Sequence, residues 1–250
     1  MGDDKAEEKD LHEEAAVPLT EHLREFRKRL LRCCIAVGIG FAVSYGFSED
    51  IFKVLTSPLL KVMPENSTMI FTGLAEGFFT YFKVSFLSGT LLAMPVIFYQ
   101  LWAFISPGLY SHEKKYIFPF TIFSAFFFIG GAVFGYFFVF PFAFEYFMSF
   151  NSAEIVALPS ISEYLSFISR LFIAFGAAFE LPIVIIFLSR LGILTVAKLT
   201  GARKYVLIVA FIFAAILTPP DVVTQILMAL PLMILYELGI LGARVFGKKK

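Results

Sequence analysis

Long apolar runs separated by short polar punctuation dominate the chain beyond residue 30. They fall at roughly 31–47, 78–104, 117–140, 163–189, 205–218 and 222–241. Crossing a bilayer as a helix takes roughly 20 apolar residues, whereas an outer-membrane barrel would show short alternating strands. The pattern therefore predicts an all-α polytopic membrane protein with six transmembrane helices. The fifth run is the shortest. At about 1.5 Å per residue it reaches only about 21 Å, so local thinning of the bilayer is expected there.

The stretch before the first run has a different rhythm. Leu23, Phe26 and Leu30 recur at i, i+3 and i+7, while Glu21, Arg24, Glu25, Lys28, Arg29 and Arg32 cover the other faces. This predicts an amphipathic helix at the membrane interface that runs into the first span, with Thr20 as its N-cap. Residues 1–17 are acidic and poor in aromatics, and read as a flexible tail. One membrane domain is expected over 18–244, followed by a basic tail over 245–250. The polar lead is too long for a cleaved signal peptide. Between the runs, 49–76 reads as an extramembrane segment with one short amphipathic helix, 142–162 as a similar segment, and TPPD at 218–221 as a tight turn.

Composition agrees with this pattern: 58% of the residues are hydrophobic, 33 are phenylalanine, and only 16% are charged. A soluble fold of this length could not hide so much apolar surface. Net charge is +1, so the placement of the charges carries the information. Seventeen of the 21 lysines and arginines flank the same ends of the spans. By the positive-inside rule, both termini are expected in the cytoplasm, in a multi-pass protein of the inner membrane. Cys33 and Cys34 are too few for a disulfide framework or a zinc site, and read as buried, inert residues of the first span.

Catalytic chemistry is poorly represented. No phosphate-binding G-x-x-x-x-G-K-[ST] loop occurs. All three histidines, His12, His22 and His112, lie outside the spans, and neither HEEAA nor HEKK completes a zinc-binding H-E-x-x-H. The chain reads as a non-enzyme with no cofactor and no nucleic-acid partner. A compact polar block, His112-Glu113-Lys114-Lys115, sits at a membrane edge within the stretch Pro95–Tyr116, PVIFYQLWAFISPGLYSHEKKY. There an apolar helix ends in a Trp/Phe collar, breaks at Ser106-Pro107-Gly108 and gives way to a charged loop, which suits docking better than catalysis.

Isolated charges are the remaining candidates. Glu25 can be an i,i+4 partner of Arg29, worth a few tenths of a kcal/mol, or a receptor carboxylate. Glu113 can be a solvated loop charge beside Lys114 and Lys115, or a second such carboxylate. Glu180 lies well inside a span, where an ionised carboxylate costs at least about 2.5 kcal/mol; it needs a wet cavity, a partner or a proton, and a functional reading is favoured. Arg170 is ten residues away on another face and is not its partner. Gln100, Gln225 and Glu237 fit ordinary interhelical hydrogen bonds. Pro95, Pro182 and Pro231 each interrupt an apolar run; they can bend the helices into a concave wall, or reflect only the frequency of proline in membrane helices.

Several motifs together resemble the TatC family: HLREFRKRLL at 22–31, SPLL at 57–60, PVIFYQLWAFISPGLY with HEKK at 95–115, YLSF with FGAAFELP at 164–182, and LTPPDVVTQ at 217–225. The resemblance covers almost the whole chain from Leu19 to Arg244, in order. Phe26 departs from a family leucine but keeps the apolar stripe, and Arg170 has no counterpart in the pattern. The resemblance implies a receptor subunit of the twin-arginine protein translocase, which binds twin-arginine signal peptides of folded precursors on the cytoplasmic face. Single-span TatA- and TatB-type partners, hetero- and homo-oligomers and a protonmotive driving force are implied with it. Carried onto this sequence, Glu25 and Glu113 would receive the two arginines, with Arg27, Phe104 and His112 at the same site. Glu180, Gln225, Pro58 and Asp221 would serve assembly with partners or the intramembrane polar site. The alternative is a proton-coupled secondary transporter of a small solute, with Glu180 as proton carrier.

Overall fold

A computed structural model describes residues 19–64, 67–105, 117–151, 157–218 and 221–247. Their regular structure is helical, apart from one isolated parallel bridge between Ile70 and Ser160. The helices are α1 (Leu19–Tyr45), α2 (Ser48–Leu60), α3 (Glu76–Ile105), α4 (Ile117–Phe134), α5 (Phe140–Met148), α6 (Ile161–Phe179), α7 (Leu181–Arg190), α8 (Val196–Leu217) and α9 (Val222–Phe246). A π turn, Gly135–Val139, joins α4 to α5. Five segments are long and apolar enough to cross a membrane: α3, α4–α5, α6–α7, α8 and α9. The pair α1–α2, bent by 86°, supplies the sixth. The interfacial helix and first span are thus one continuous helix, with no proline between Leu19 and Tyr45 to divide them.

Packing follows the placement of small residues. Helix α1 lies along α3, and the two backbones nearly touch where Gly40 meets Gly89: a Cβ built on Gly40 would sit 2.4 Å from the Gly89 carbonyl oxygen. Small residues at such crossings let membrane helices approach closely, which is where their association energy comes from. Gly131 similarly admits the Phe175 backbone, bringing α4 against α6. The largest buried cluster joins α2, α4, α5 and α6 around Phe140, Ile168, Leu171 and Phe175. A second gathers Trp102, Phe98, Phe128 and Phe187 near the Ile105 end of α3.

Proline explains the local departures from regular helix. Pro58 lies inside α2 and has no N–H to give the carbonyl four residues back. That carbonyl belongs to Val54, and it accepts instead from the Tyr136 hydroxyl at 2.7 Å. The Tyr164 hydroxyl donates to the neighbouring Leu55 carbonyl at 2.6 Å. The proline thereby ties α2 to the π turn and to α6. Pro182 divides α6 from α7, with Glu180 at the junction. Pro95 and Pro231 remain inside continuous helices, so only one of the three expected interruptions splits its helix.

Four further expectations are corrected. The fifth span is not short: α8 has 22 residues, about 33 Å. It starts at Val196 because Thr195 caps it, its hydroxyl accepting from the Lys198 amide. The polar letters KLTGARKY are helical surface rather than loop. The segment after 142 stays helical through Met148, since Pro141 sits in the first turn of α5, where proline is tolerated. Helix α1 already includes Leu19, which places Thr20 inside its first turn. Cys33 is half-buried and Cys34 exposed, because α1 packs on the bundle by one face only.

Candidate functional site

The ends of α1 and α3 meet on the side of the bundle that carries the first and last described residues. The register is antiparallel and regular: Arg29 lies eleven residues before Gly40, and Gln100 eleven after Gly89. Arg29 accordingly reaches both helices. Its Nε and Nη2 donate to Glu25 Oε1 at 2.8 and 2.5 Å, and its Nη1 donates to Gln100 Oε1 at 3.2 Å. Gln100 is buried and Glu25 only partly so. Both arginine contacts fall on one carboxylate oxygen, so Glu25 Oε2 keeps its acceptor capacity and makes no hydrogen bond among the described residues. The i,i+4 pairing read from the sequence is present, yet half of the carboxylate is open.

One turn earlier, Phe104 from α3 packs between two residues of α1. Its ring stacks on His22 at 4.4 Å with an interplanar angle of 27°, and meets Phe26 at 5.6 Å. Phe26 therefore contributes an aromatic ring to the contact, as well as a place in the apolar stripe. Arg27 is exposed on the adjacent face of α1. Glu113 and His112, together with the loop from Ser106, lie outside the described residues. The structure thus brings together Glu25, Arg29, His22, Phe26, Phe104 and Gln100. Arg29 was visible in the sequence only as the i,i+4 partner of Glu25, His22 only as a histidine outside the spans, and Gln100 only as a generic interhelical polar.

The intramembrane candidates separate into two kinds. Glu180 joins α6 to α7, and its Oε1 is buried without a hydrogen-bond partner. The Ser124 hydroxyl, which accepts from Trp102 Nε1 at 3.0 Å, lies close enough to interact with the Glu180 carboxyl. Arg170 is engaged elsewhere, its Nε donating to the Ser166 carbonyl at 3.2 Å. Asp221 caps α9: Oδ1 accepts from the Thr224 amide at 2.7 Å, and Oδ2 accepts from the Thr224 hydroxyl. Glu237 makes a two-pronged pair with Arg203, at 2.6 and 2.8 Å, between α8 and α9. The Gln225 side chain makes no hydrogen bond among the described residues.

Sequence reasoning missed the densest polar cluster. Glu76, in the first turn of α3, is buried. Its Oε2 accepts from the Thr72 amide and hydroxyl and the Gly73 amide, at 2.5, 2.9 and 2.9 Å. Its Oε1 accepts from the Ser160 hydroxyl and the Ser162 amide at 3.1 and 2.7 Å. Beside it the Ile70–Ser160 bridge adds two backbone bonds, Ile70 N–H to the Pro159 carbonyl and Ile161 N–H to the Ile70 carbonyl, both at 3.1 Å. The available signal was an acid placed just before an apolar run, where a helix N-terminus attracts negative charge.

Comparison with known proteins gives a consistent result. The family model for "Sec-independent protein translocase protein (TatC)" matches residues 21–231. A TatC of Desulforapulum autotrophicum is 56% identical over 238 residues, 95% of this chain and 88% of that protein. The TatC of Escherichia coli K12 is 43% identical over 232 residues, 93% of this chain and 90% of that protein. A crystal structure described as the twin-arginine translocase receptor TatC superposes with a TM-score of 0.79 at 41% identity, covering 90% of this chain and 99% of that one.

Proposed function

The chain belongs to the TatC family of Sec-independent protein translocase proteins, and on that premise we propose that it is the receptor subunit of a twin-arginine translocase whose Glu25 receives one arginine of the signal peptide. The observation that carries the assignment is the half-open Glu25 carboxylate beside the Phe104–His22 stack. A substrate guanidinium can bond Oε2 without displacing Arg29 and lie against an aromatic face. The incoming bond also competes well with the existing pair: an i,i+4 helix pair is worth about 0.3–0.5 kcal/mol when exposed, this one is only partly buried, and a hydrogen bond to a charged group is worth about 1.5–3 kcal/mol. A lysine offers no planar fork and stacks less well, which accounts for a preference for arginine. Glu113 takes the second arginine, and His112 and Arg27 border the same site.

In this reading both termini face the cytoplasm and the protein resides in the inner membrane. Assembly with single-span TatA- and TatB-type subunits uses Glu180, Gln225 and the Pro58 and Asp221 regions, and transport draws on the protonmotive force. The relatives named above are translocase proteins, which does not support the solute-transporter alternative. The test uses a photo-crosslinker at position 25 or 113, with twin-arginine and twin-lysine versions of one signal peptide. Adducts are expected with the arginine peptide alone. In binding measurements Glu25→Lys abolishes binding, and Glu25→Ala with Glu113→Ala loses roughly 3–6 kcal/mol if both pairs are desolvated. Unchanged affinity in the double alanine variant removes these residues from the site.

A further inference from the structure

A groove of about 350 Å³ runs along α3, α4 and α6 on the half of the bundle away from the termini. Its walls are apolar: Phe86, Leu87, Leu91, Met94, Phe128 and Ile173. Its outer rim is not. Lys83 donates to the Ser162 and Ser166 hydroxyls at 3.1 and 3.4 Å, and Arg170 follows Ser166 by one turn, its Nε on the Ser166 carbonyl. Both cations are exposed, and neither meets a carboxylate among the described residues. Lys83 has a third ammonium proton unused, and Arg170 keeps its four Nη protons.

Depth decides what such a rim can meet. Helix α3 and the α6–α7 pair each have 30 residues, about 45 Å, against a hydrocarbon core of about 30 Å. Roughly 7 Å of each end therefore stands outside the hydrocarbon when the excess is shared equally. Lys83 is seven residues from the start of α3 and Arg170 nine from the start of α6, so they lie at about 10 and 13 Å. That is a few ångströms inside the core, from where long side chains extend back to phosphate level. From Lys83 to Met94 the trough continues for about 16 Å toward mid-membrane, the direction and scale of an acyl chain.

We propose that this groove binds an anionic phospholipid, its phosphate between Lys83 and Arg170 and one acyl chain along Leu87, Leu91 and Ile173. The charge match selects the headgroup, and the continuous apolar trough beneath it selects a lipid over a free anion.

The test uses the full chain with Cys33 and Cys34 replaced by alanine and a bimane label on Ile173→Cys. Quenching is measured with acyl-brominated phosphatidylglycerol and phosphatidylcholine at equal mole fraction. Phosphatidylglycerol is expected to be preferred roughly tenfold, from two cations at phosphate level. The preference should disappear in Lys83→Gln/Arg170→Gln and survive in Lys83→Arg/Arg170→Lys, which excludes simple misfolding. Equal quenching by the two lipids overturns the proposal, as does a preference that persists in the glutamine variant. Relief of quenching by millimolar inorganic phosphate would reveal a free-anion site instead. Relief by a carboxylate-bearing single-span peptide that the neutral peptide cannot match would assign the groove to a partner helix.

Discussion

Replacing Gly89 by alanine tests whether the α1–α3 crossing holds the receptor site together. The added Cβ would lie 2.4 Å from the Phe41 nitrogen and 2.6 Å from the Gly40 carbonyl carbon. Ordinary contact begins at 3.4 Å, so the two backbones must separate by about 1 Å. No side-chain rotation can relieve a clash between main chains. Overpacking of this kind costs about 1–3 kcal/mol, against a gain in helix propensity of about 1 kcal/mol for Gly to Ala. Gly38→Ala provides the control: it collects the same propensity gain on α1 two residues from Gly40, on the face turned away from the crossing, where a Cβ meets nothing within 4 Å. In detergent-solubilised protein, Gly89→Ala should lose its fold roughly 2–12 °C below Gly38→Ala, using about 2–4 °C per kcal/mol. The same separation should loosen the Arg29–Gln100 bond eleven residues away and weaken binding of a twin-arginine peptide. Equal thermal midpoints for the two variants, or undiminished peptide affinity in Gly89→Ala, would refute the argument.

Tyr136→Phe orphans the Val54 carbonyl and should destabilise by about 1–3 kcal/mol; in a Pro58→Ala background the restored amide bonds Val54, so a double-mutant cycle in thermal unfolding should show positive coupling of about 1 kcal/mol, and strict additivity would dismiss the clasp. Glu180→Gln should assemble with partner subunits nearly as the wild type does, and Glu180→Leu poorly, measured by co-purification. A proton carrier would fail equally with both, and normal assembly and export by the leucine variant would leave Glu180 as a tolerated polar residue. A membrane-impermeant thiol reagent applied from outside intact cells, in a background lacking Cys33 and Cys34, should label Ser67→Cys and miss Thr200→Cys; the reverse would invert the proposed orientation.

Most of the architecture was legible because membrane spans are read from composition over long windows, and apolar runs of this length have few other uses. Boundaries were less legible. At α8 the polar letters from Val196 to Tyr205 resembled a loop, although one threonine cap suffices to begin the helix there. At α5 the segment from 142 read as extramembrane, yet the helix continues through Met148 with Pro141 in its first turn. Within the candidate site, the Glu25–Arg29 pair was accessible from i,i+4 spacing. The Arg29–Gln100 bond was not, since it depends on the register set by Gly40 and Gly89. Glu76 was invisible because two of its five donors lie more than 80 residues away, at the start of α6.

That separation has a consequence for synthesis. Glu76 and its local donors, Thr72 and Gly73, leave the ribosome together, and three of its five hydrogen bonds can form at once. Ser160 and Ser162 follow 84 and 86 residues later, a delay of roughly 4–17 s at 5–20 residues per second. During that interval α3 is already capped, while the acceptor Oε1 and the Ile70 backbone stand open at the end of the bundle away from the termini. The emerging start of α6 thus meets a receiving edge built beforehand, and its docking there is a late event that fixes the axial height of α6 against α3. A ribosome-bound chain stalled before Ser160 clears the exit tunnel would carry the first spans with this latch unclosed.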